Sequence, residues 1–232
     1  MGSRRTVYLL AAGAAAAALA AALVAFSLLR TEEAPAAAVA GMDEVTQMLD
    51  GVPQSGVVLG RDDAPVTLVE YGDIQCGHCR HFAQDAFPHL VWDYVREGHL
   101  KIEFRGLHFI GADSEKALRA ALAAGEQDRL WHVLDLLFYS QGPPNTGWVS
   151  DQLLRSIGAA VPGVDVERML ADMDSAAVSE RIAADAQAAQ RAQVPGTPYF
   201  ELGRTGEELE PFEPQSLSAD AFRPVLDELL GR

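Results

Sequence analysis

The sequence predicts an α/β fold in which a β-α-β unit and a later β-β-α unit are separated by a long helical insertion. Three observations carry this. The β-prone run Val66–Tyr71 passes, through the Cys76-Gly77-His78-Cys79 tetrapeptide, into a helical period that lasts until Gly98, and Leu100–Phe104 then alternates like a second strand. From about residue 113 to 193 no convincing strand occurs, only Ala-rich and Leu-rich helical periods separated by turn residues. Strand signals return at Thr197–Leu202 and, beyond Gly203-Arg204-Thr205-Gly206, at about Glu207–Phe212, a plausible hairpin.

Taken in order, the first forty residues stand apart as anchor and linker. Thr6 to Leu29 carries no charge and is rich in Ala, Leu and Val; at about 1.5 Å per residue it is long enough for a hydrocarbon core of about 30 Å. Arg4 and Arg5 precede it, and Glu32 and Glu33 follow just after Arg30, so the positive-inside bias keeps the N-terminus cytoplasmic. A single-pass membrane helix is the expectation, with the folded domain, residues 41–232, extracytoplasmic. The competing reading is a cleaved signal segment, for which Ala38-Val39-Ala40 before Gly41 offers an A-x-A site. Ser3-Arg4-Arg5 also fits a twin-arginine signal, but any inward-facing anchor shows the same pair. Thr31–Ala40, small and Ala-rich with a proline, suits a flexible tether.

Within the domain, Asp43–Leu49 reads as a short helix and Val57–Leu59 as a short strand before the turn Gly60–Pro65. The near-continuous apolar run Val66–Tyr71 is what a strand covered on both faces requires. In the helix that follows, Phe82, Ala86, Phe87, Leu90, Val91 and Tyr94 share one side. Pro88 lies inside it and predicts a kink, since it lacks a donor and crowds the carbonyl four residues back. Ser218 is placed to cap a last helix ending at Leu230, with Pro224 near its start.

The chain has 232 residues, 49% of them hydrophobic, enough for one core with a sizeable insertion, and a formal charge of −15. Nucleic-acid binding is not expected, because phosphates call for clustered Lys and Arg. Cys76 and Cys79 are the only cysteines, so a multi-bridge disulfide framework is excluded. A dithiol at a helix start points to redox chemistry: Cys76 sits among unpaired N–H groups at the positive end of the helix dipole, which stabilises its thiolate. His78, between the sulfurs, adds a donor or a charge to the same thiolate. Cys79, one turn in, is expected to be the buried, resolving partner. Half of a zinc site or an inert pair are the competing readings, and c-type haem attachment fails because Arg80 stands where its histidine would be. No cofactor is expected.

Strand, C-x-x-C at a helix start, kinking proline, second strand, helical insertion and Thr197-Pro198 before a strand together resemble the DsbA-like thiol:disulfide oxidoreductases of the thioredoxin superfamily. Gly60–Thr67, the Ala-rich run Ala117–Ala124 and the aromatic run Leu130–Phe138 look like the family too, and the resemblance covers about Val57 to Leu230. It implies a thioredoxin-like fold, a cis Pro198 packed against the disulfide, and a Thr197 that offers backbone to a bound substrate strand. It also implies that a carboxylate relays protons to the buried cysteine, and Glu70, six residues before Cys76, matches that position. The implied activity is oxidation of exported proteins with free thiols, renewed by a membrane redox partner.

Gly77-His78 departs from the Pro-His pair of the best-known DsbA proteins and is typical of protein disulfide isomerases. Together with Thr197 it keeps a reductase or isomerase of the same fold open. A metal carrier using Cys76, Cys79 and a nearby histidine, as in some thioredoxin-fold copper proteins, is the rival from a different class. The acidic stretch Glu207–Leu217 is longer than the family's usual hairpin and has no assigned role.

Overall fold

A computed structural model describes residues 39–232. The expected anchor at Thr6–Leu29, its flanking charges and most of the tether lie outside the described residues. Among the described residues no helix is long and apolar enough to cross a membrane.

Helix α1 (Met42–Leu49) buries Val45, Met48 and Leu49. Two strands of two residues follow, β1 (Gln54–Ser55) and β2 (Val58–Leu59), paired antiparallel. Strand β3 (Val66–Asp73) is buried at every position, as its apolar run requires of a central strand. Its alternation sorts two faces: Val66 and Leu68 belong to the main core, Val69 and Tyr71 to a smaller cluster. By the same two-residue period, Glu70 faces the main core.

Helix α2 (Gly77–Gln84) starts from Cys76 and buries Cys79, Phe82 and Ala83. The kink expected at Pro88 is expressed as a break at Asp85, with φ −117° and ψ −77°, before a second short helix, α3 (Ala86–Leu90). The proline acts at a distance because its ring crowds the carbonyl of Gln84, four residues back, and supplies no N–H to bond it. A π-helical turn, Val91–Val95, completes the connection.

Strand β4 (Leu100–Leu107) lies parallel to β3 in unbroken register from Val66–Leu100 to Asp73–Leu107. It runs three residues past the alternation read from the sequence, through Gly106. A Cβ there would collide with Leu118, so glycine lets the next helix, α4 (Ala112–Gly125), press against the strand.

The insertion comprises α4, α5 (Leu130–Tyr139), α6 (Asp151–Ala160), α7 (Val166–Asp172) and α8 (Ala176–Arg191). The chain returns as β5 (Tyr199–Arg204), antiparallel to β3, and turns into β6 (Glu210–Phe212). The sheet order is β1-β2-β4-β3-β5-β6, the thioredoxin-like arrangement expected. A 3-10 turn, Ala219–Ala221, precedes α9 (Arg223–Leu230). Ser218 does not cap this helix: its hydroxyl pairs with that of Ser216 at 2.8 Å, and Pro224 occupies the first turn, where a missing N–H is harmless.

Aromatic contacts fasten these layers together. Phe82 of α2 meets Phe200 of β5 at 4.8 Å between ring centroids and Phe222 at 5.5 Å. Trp131 of α5 stacks on Phe87 of α3 at 5.2 Å and meets Phe104 of β4 edge-on at 6.2 Å. The insertion is thereby packed against both the sheet and α3, the short helix that follows α2.

Candidate active site

Cys76 occupies the N-cap of α2 in an extended conformation, φ −74° and ψ 122°. Its carbonyl accepts from Arg80 N at 3.1 Å, so its own sulfur is left at the open end of the helix. Both cysteines are free thiols. A hydrogen bond from the Cys79 side chain, with further help from Thr197 and the backbone N–H groups of Cys79 and His78, outweighs burial and brings the Cys76 thiol down to about 5. Cys79, fully buried, is pushed the other way, first by burial and then by the Cys76 hydrogen bond and the negative charge of Glu70. The two sulfurs are thus electronically unlike: one is a ready thiolate at neutral pH, the other stays a thiol.

His78 is exposed, and the part of it that bears on Cys76 is its backbone N–H. Thr197 comes from the far end of the insertion, yet its carbonyl oxygen lies 3.2 Å from Cys76 Sγ, which donates to it as a thiol. The Thr197–Pro198 peptide bond is cis. Pro195–Phe200 and Pro211–Pro214 line a surface groove of about 510 Å³. The groove includes Thr197, the residue whose carbonyl touches the Cys76 sulfur.

Glu70 lies on the core face of β3 at 2% exposure, registered between Phe104 of β4 and Phe200 of β5. Its Oε1 has no hydrogen-bond partner. Burial, reinforced by the negative charge of Cys76, pushes its carboxyl up to about 8. A protonated acid is therefore held behind the dithiol at neutral pH.

Sequence reasoning did not single out Asp135, which lies on α5 at 3% exposure with an unpartnered Oδ2. Burial, and then the charge of Glu70, drive its carboxyl upward as well. The signal was available: Asp135 is the one carboxylate in Leu-Trp-His-Val-Leu-Asp-Leu-Leu-Phe-Tyr, a helix otherwise apolar nearly all round.

Also unforeseen was the polar frame that holds the loop before Cys76. Asp73, fully buried, accepts from Gln75 N, Ser114 Oγ and Ile110 N. Gln75 in turn donates to Asn145 Oδ1 and accepts from Asn145 N. Gln141, just after α5, donates through Nε2 to the carbonyls of Ile74 at 2.6 Å and Cys76 at 3.1 Å. Buried polar groups so completely paired fix geometry, and here they tie the insertion to the catalytic turn. As for metal, no three His, Cys, Asp or Glu side chains converge on a common point among the described residues.

A family model described as thioredoxin matches residues 53–218. Probable disulfide bond formation protein D of Bacillus cereus is 35% identical over 143 residues, 60% of this chain and 66% of that protein. The protein of the same name from Bacillus anthracis is 34% identical over 143 residues with the same shares. The match thus spans just under two thirds of the length of these curated relatives. Among solved structures, oxidised BdbD from Bacillus subtilis superposes with a TM-score of 0.65 at 24% identity, covering 78% of this chain and 98% of that one, and so shares the fold.

Proposed function

Because the chain belongs to the thioredoxin family, with a model match over residues 53–218, we propose that it is a DsbA-like protein thiol:disulfide oxidoreductase working as an oxidase. The observation that carries this is the contrast between the sulfurs, Cys76 lowered to about 5 and Cys79 raised. A disulfide whose reduction yields a stabilised thiolate is a willing electron acceptor. The relatives named for disulfide bond formation support the same direction.

The steps balance as follows. A client thiolate attacks Cys76 Sγ, the Cys76–Cys79 bond breaks, and Cys79 leaves with the electron pair and takes up a proton from Glu70. A second client thiolate then attacks the client sulfur of the mixed disulfide and releases Cys76 as its stable thiolate. The client loses two electrons, the protein gains them, and a membrane redox partner is the acceptor that restores the disulfide. Thr197 and Pro198 present backbone to the client, since the Thr197 carbonyl, freed once Cys76 is a thiolate, has an open lone pair for a client N–H. His78 contributes through its backbone.

The test is the reduction potential of the Cys76/Cys79 couple, equilibrated against glutathione buffers. A value toward roughly −120 mV is expected for a disulfide donor; one near roughly −270 mV overturns the direction and leaves the reductase that Gly77-His78 kept open.

The uncharged stretch Thr6–Leu29 and the charges flanking it support a membrane-anchored protein with residues 41–232 outside the cytoplasm. A membrane-impermeant maleimide should then label Cys76 of the reduced protein in intact cells. Labelling that appears only after lysis would reverse this topology.

A further inference from the structure

Asp135 is the buried acid that the chemistry above leaves unused. Helix α5 packs against α1 and α2, and its course past the dithiol is fixed at two points. Near its start Trp131 meets Phe104, the β4 residue in register with Glu70. Just beyond its end Gln141 donates to the carbonyl of Cys76 at 3.1 Å. Asp135 lies between these points, and Trp131, Asp135 and Tyr139, spaced by four along α5, share one face.

Glu70 approaches from the sheet. A Cβ on Gly72 would stand 3.3 Å from Glu70 Oε1, so the carboxyl leans along β3 toward its cysteine end. Glu70 Oε1, Asp135 Oδ2 and Trp131 Nε1 are all buried without hydrogen-bond partners, a concentration of unsatisfied atoms that a purely structural core avoids. The charge of Glu70 acts on both Cys79 and Asp135. Once Glu70 ionises, its charge opposes ionisation of Asp135, which is then the acid still holding a proton.

The row continues outward. Tyr139 is partly buried, its ring held beneath Gly41, where a Cβ would collide with ring atoms. Burial, then the charges of Asp135 and Glu44, push its phenol up, so it is a neutral hydroxyl able to accept and to donate. Glu44, on α1, is exposed. His132, the remaining titratable group of α5, is turned away to Gln54 at 3.0 Å. From Cys79 to solvent the groups therefore stand in the order Glu70, Asp135, Tyr139, Glu44.

We propose that Asp135 refills Glu70 with a proton and that Tyr139 connects Asp135 to solvent beside α1. When Cys79 leaves as a thiolate it takes the proton of Glu70. The Asp135 proton then passes to Glu70, and the Tyr139 hydroxyl donates its own proton to Asp135 while accepting another from outside. One solvent proton enters for each disulfide reduced, and no electron moves along the row. Refilling matters because until it occurs Glu70 can take the proton back, and Cys79 can attack the mixed disulfide and return the client unoxidised. Asp135 acts only through Glu70, as a positioning residue. This rests on the oxidase reading above, with Glu70 as the donor to Cys79.

The experiment mixes the full-length oxidised protein rapidly with excess reduced two-cysteine peptide at neutral pH and follows the infrared C=O band of protonated Glu70, assigned by its loss in Glu70→Gln. The band should bleach as the disulfide breaks and then recover. In Asp135→Asn, which keeps the shape and cannot pass a proton on, the bleach should keep the parent's rate while recovery slows on the order of 10²-fold. Tyr139→Phe, which keeps the ring beneath Gly41, should slow recovery in the same sense. Damage to packing alone would not separate the two phases. Recovery as fast in either variant as in the parent, or a bleach slowed as much as the recovery, overturns the proposal and leaves the oxidase reading standing. Peptide oxidation with no bleach of Glu70 in the parent overturns the donor role together with the proposal, and failure to oxidise the peptide overturns the oxidase reading itself.

Discussion

Replacing Cys76 with serine is expected to reduce disulfide transfer to a reduced client to the uncatalysed background, a fall on the order of 10³-fold or more. The hydroxyl forms no disulfide, and no other sulfur is available to take its place, because Cys76 and Cys79 are the only cysteines in the chain. Cys79→Ala has a different expected signature. Oxidase turnover is lost with the internal disulfide, but Cys76 remains at the helix start with the N–H groups of His78 and residue 79 still directed at it. What it loses is the largest cause of its low pKa, the hydrogen bond from Cys79. The pH midpoint of Cys76 alkylation should therefore move upward from about 5, and the variant should accumulate mixed disulfides that nothing within the protein resolves. Iodoacetamide labelling across a pH series and non-reducing electrophoresis read these two effects. A midpoint that stays put would remove Cys79 from the electrostatics of the nucleophile, and a Cys76→Ser protein that still oxidises clients would remove the dithiol from the mechanism.

Much of this arrangement is legible in the chain because its signals are local. β3 and β4 announce themselves as apolar or alternating runs, and Pro88 disrupts the helix for a reason visible one turn away. Where the reading falls short, the deciding partner lies elsewhere in space. Gly106 looks like the end of a strand, yet β4 continues through it because Leu118 of α4 needs the room. Ser218 has the composition of a cap, but Ser216 claims its hydroxyl. A two-residue strand such as β1 carries too few side chains to show a period. The site divides in the same way. The C-x-x-C is marked by its own spacing, whereas Glu70 and the roles of Thr197-Pro198 are reached through the family resemblance. Gln141 reaches the Cys76 carbonyl and Asp135 meets the field of Glu70 only because the aromatic contacts of α5 draw the insertion onto α3 and β4.

Glu70→Gln should slow reduction of the protein's disulfide by a client thiol on the order of 10²-fold, the lower end of what a positioned general acid supplies. When the disulfide is attacked, Cys79 leaves into a site where burial and neighbouring charge oppose its thiolate, so departure needs a proton. Glu70, raised to about 8, is protonated at neutral pH and faces the same core; glutamine keeps the shape and cannot give the proton up. At constant client thiolate the rate should fall as pH rises through the burial-raised titration of Glu70 in the parent protein, and this limb should vanish in Glu70→Gln. Stability supplies an independent check with a definite sign. A carboxyl raised from 4.5 to about 8 by folding binds its proton more tightly in the folded state, so its contribution to stability is present below 4.5 and is lost as pH rises to about 8. Denaturant titration of the reduced protein should therefore show Glu70→Gln gaining on the parent across that interval. A variant that is slower but keeps the alkaline limb would make Glu70 a packing residue, and one whose stability tracks the parent at every pH would show that Glu70 ionises no differently in the folded chain than in the unfolded one.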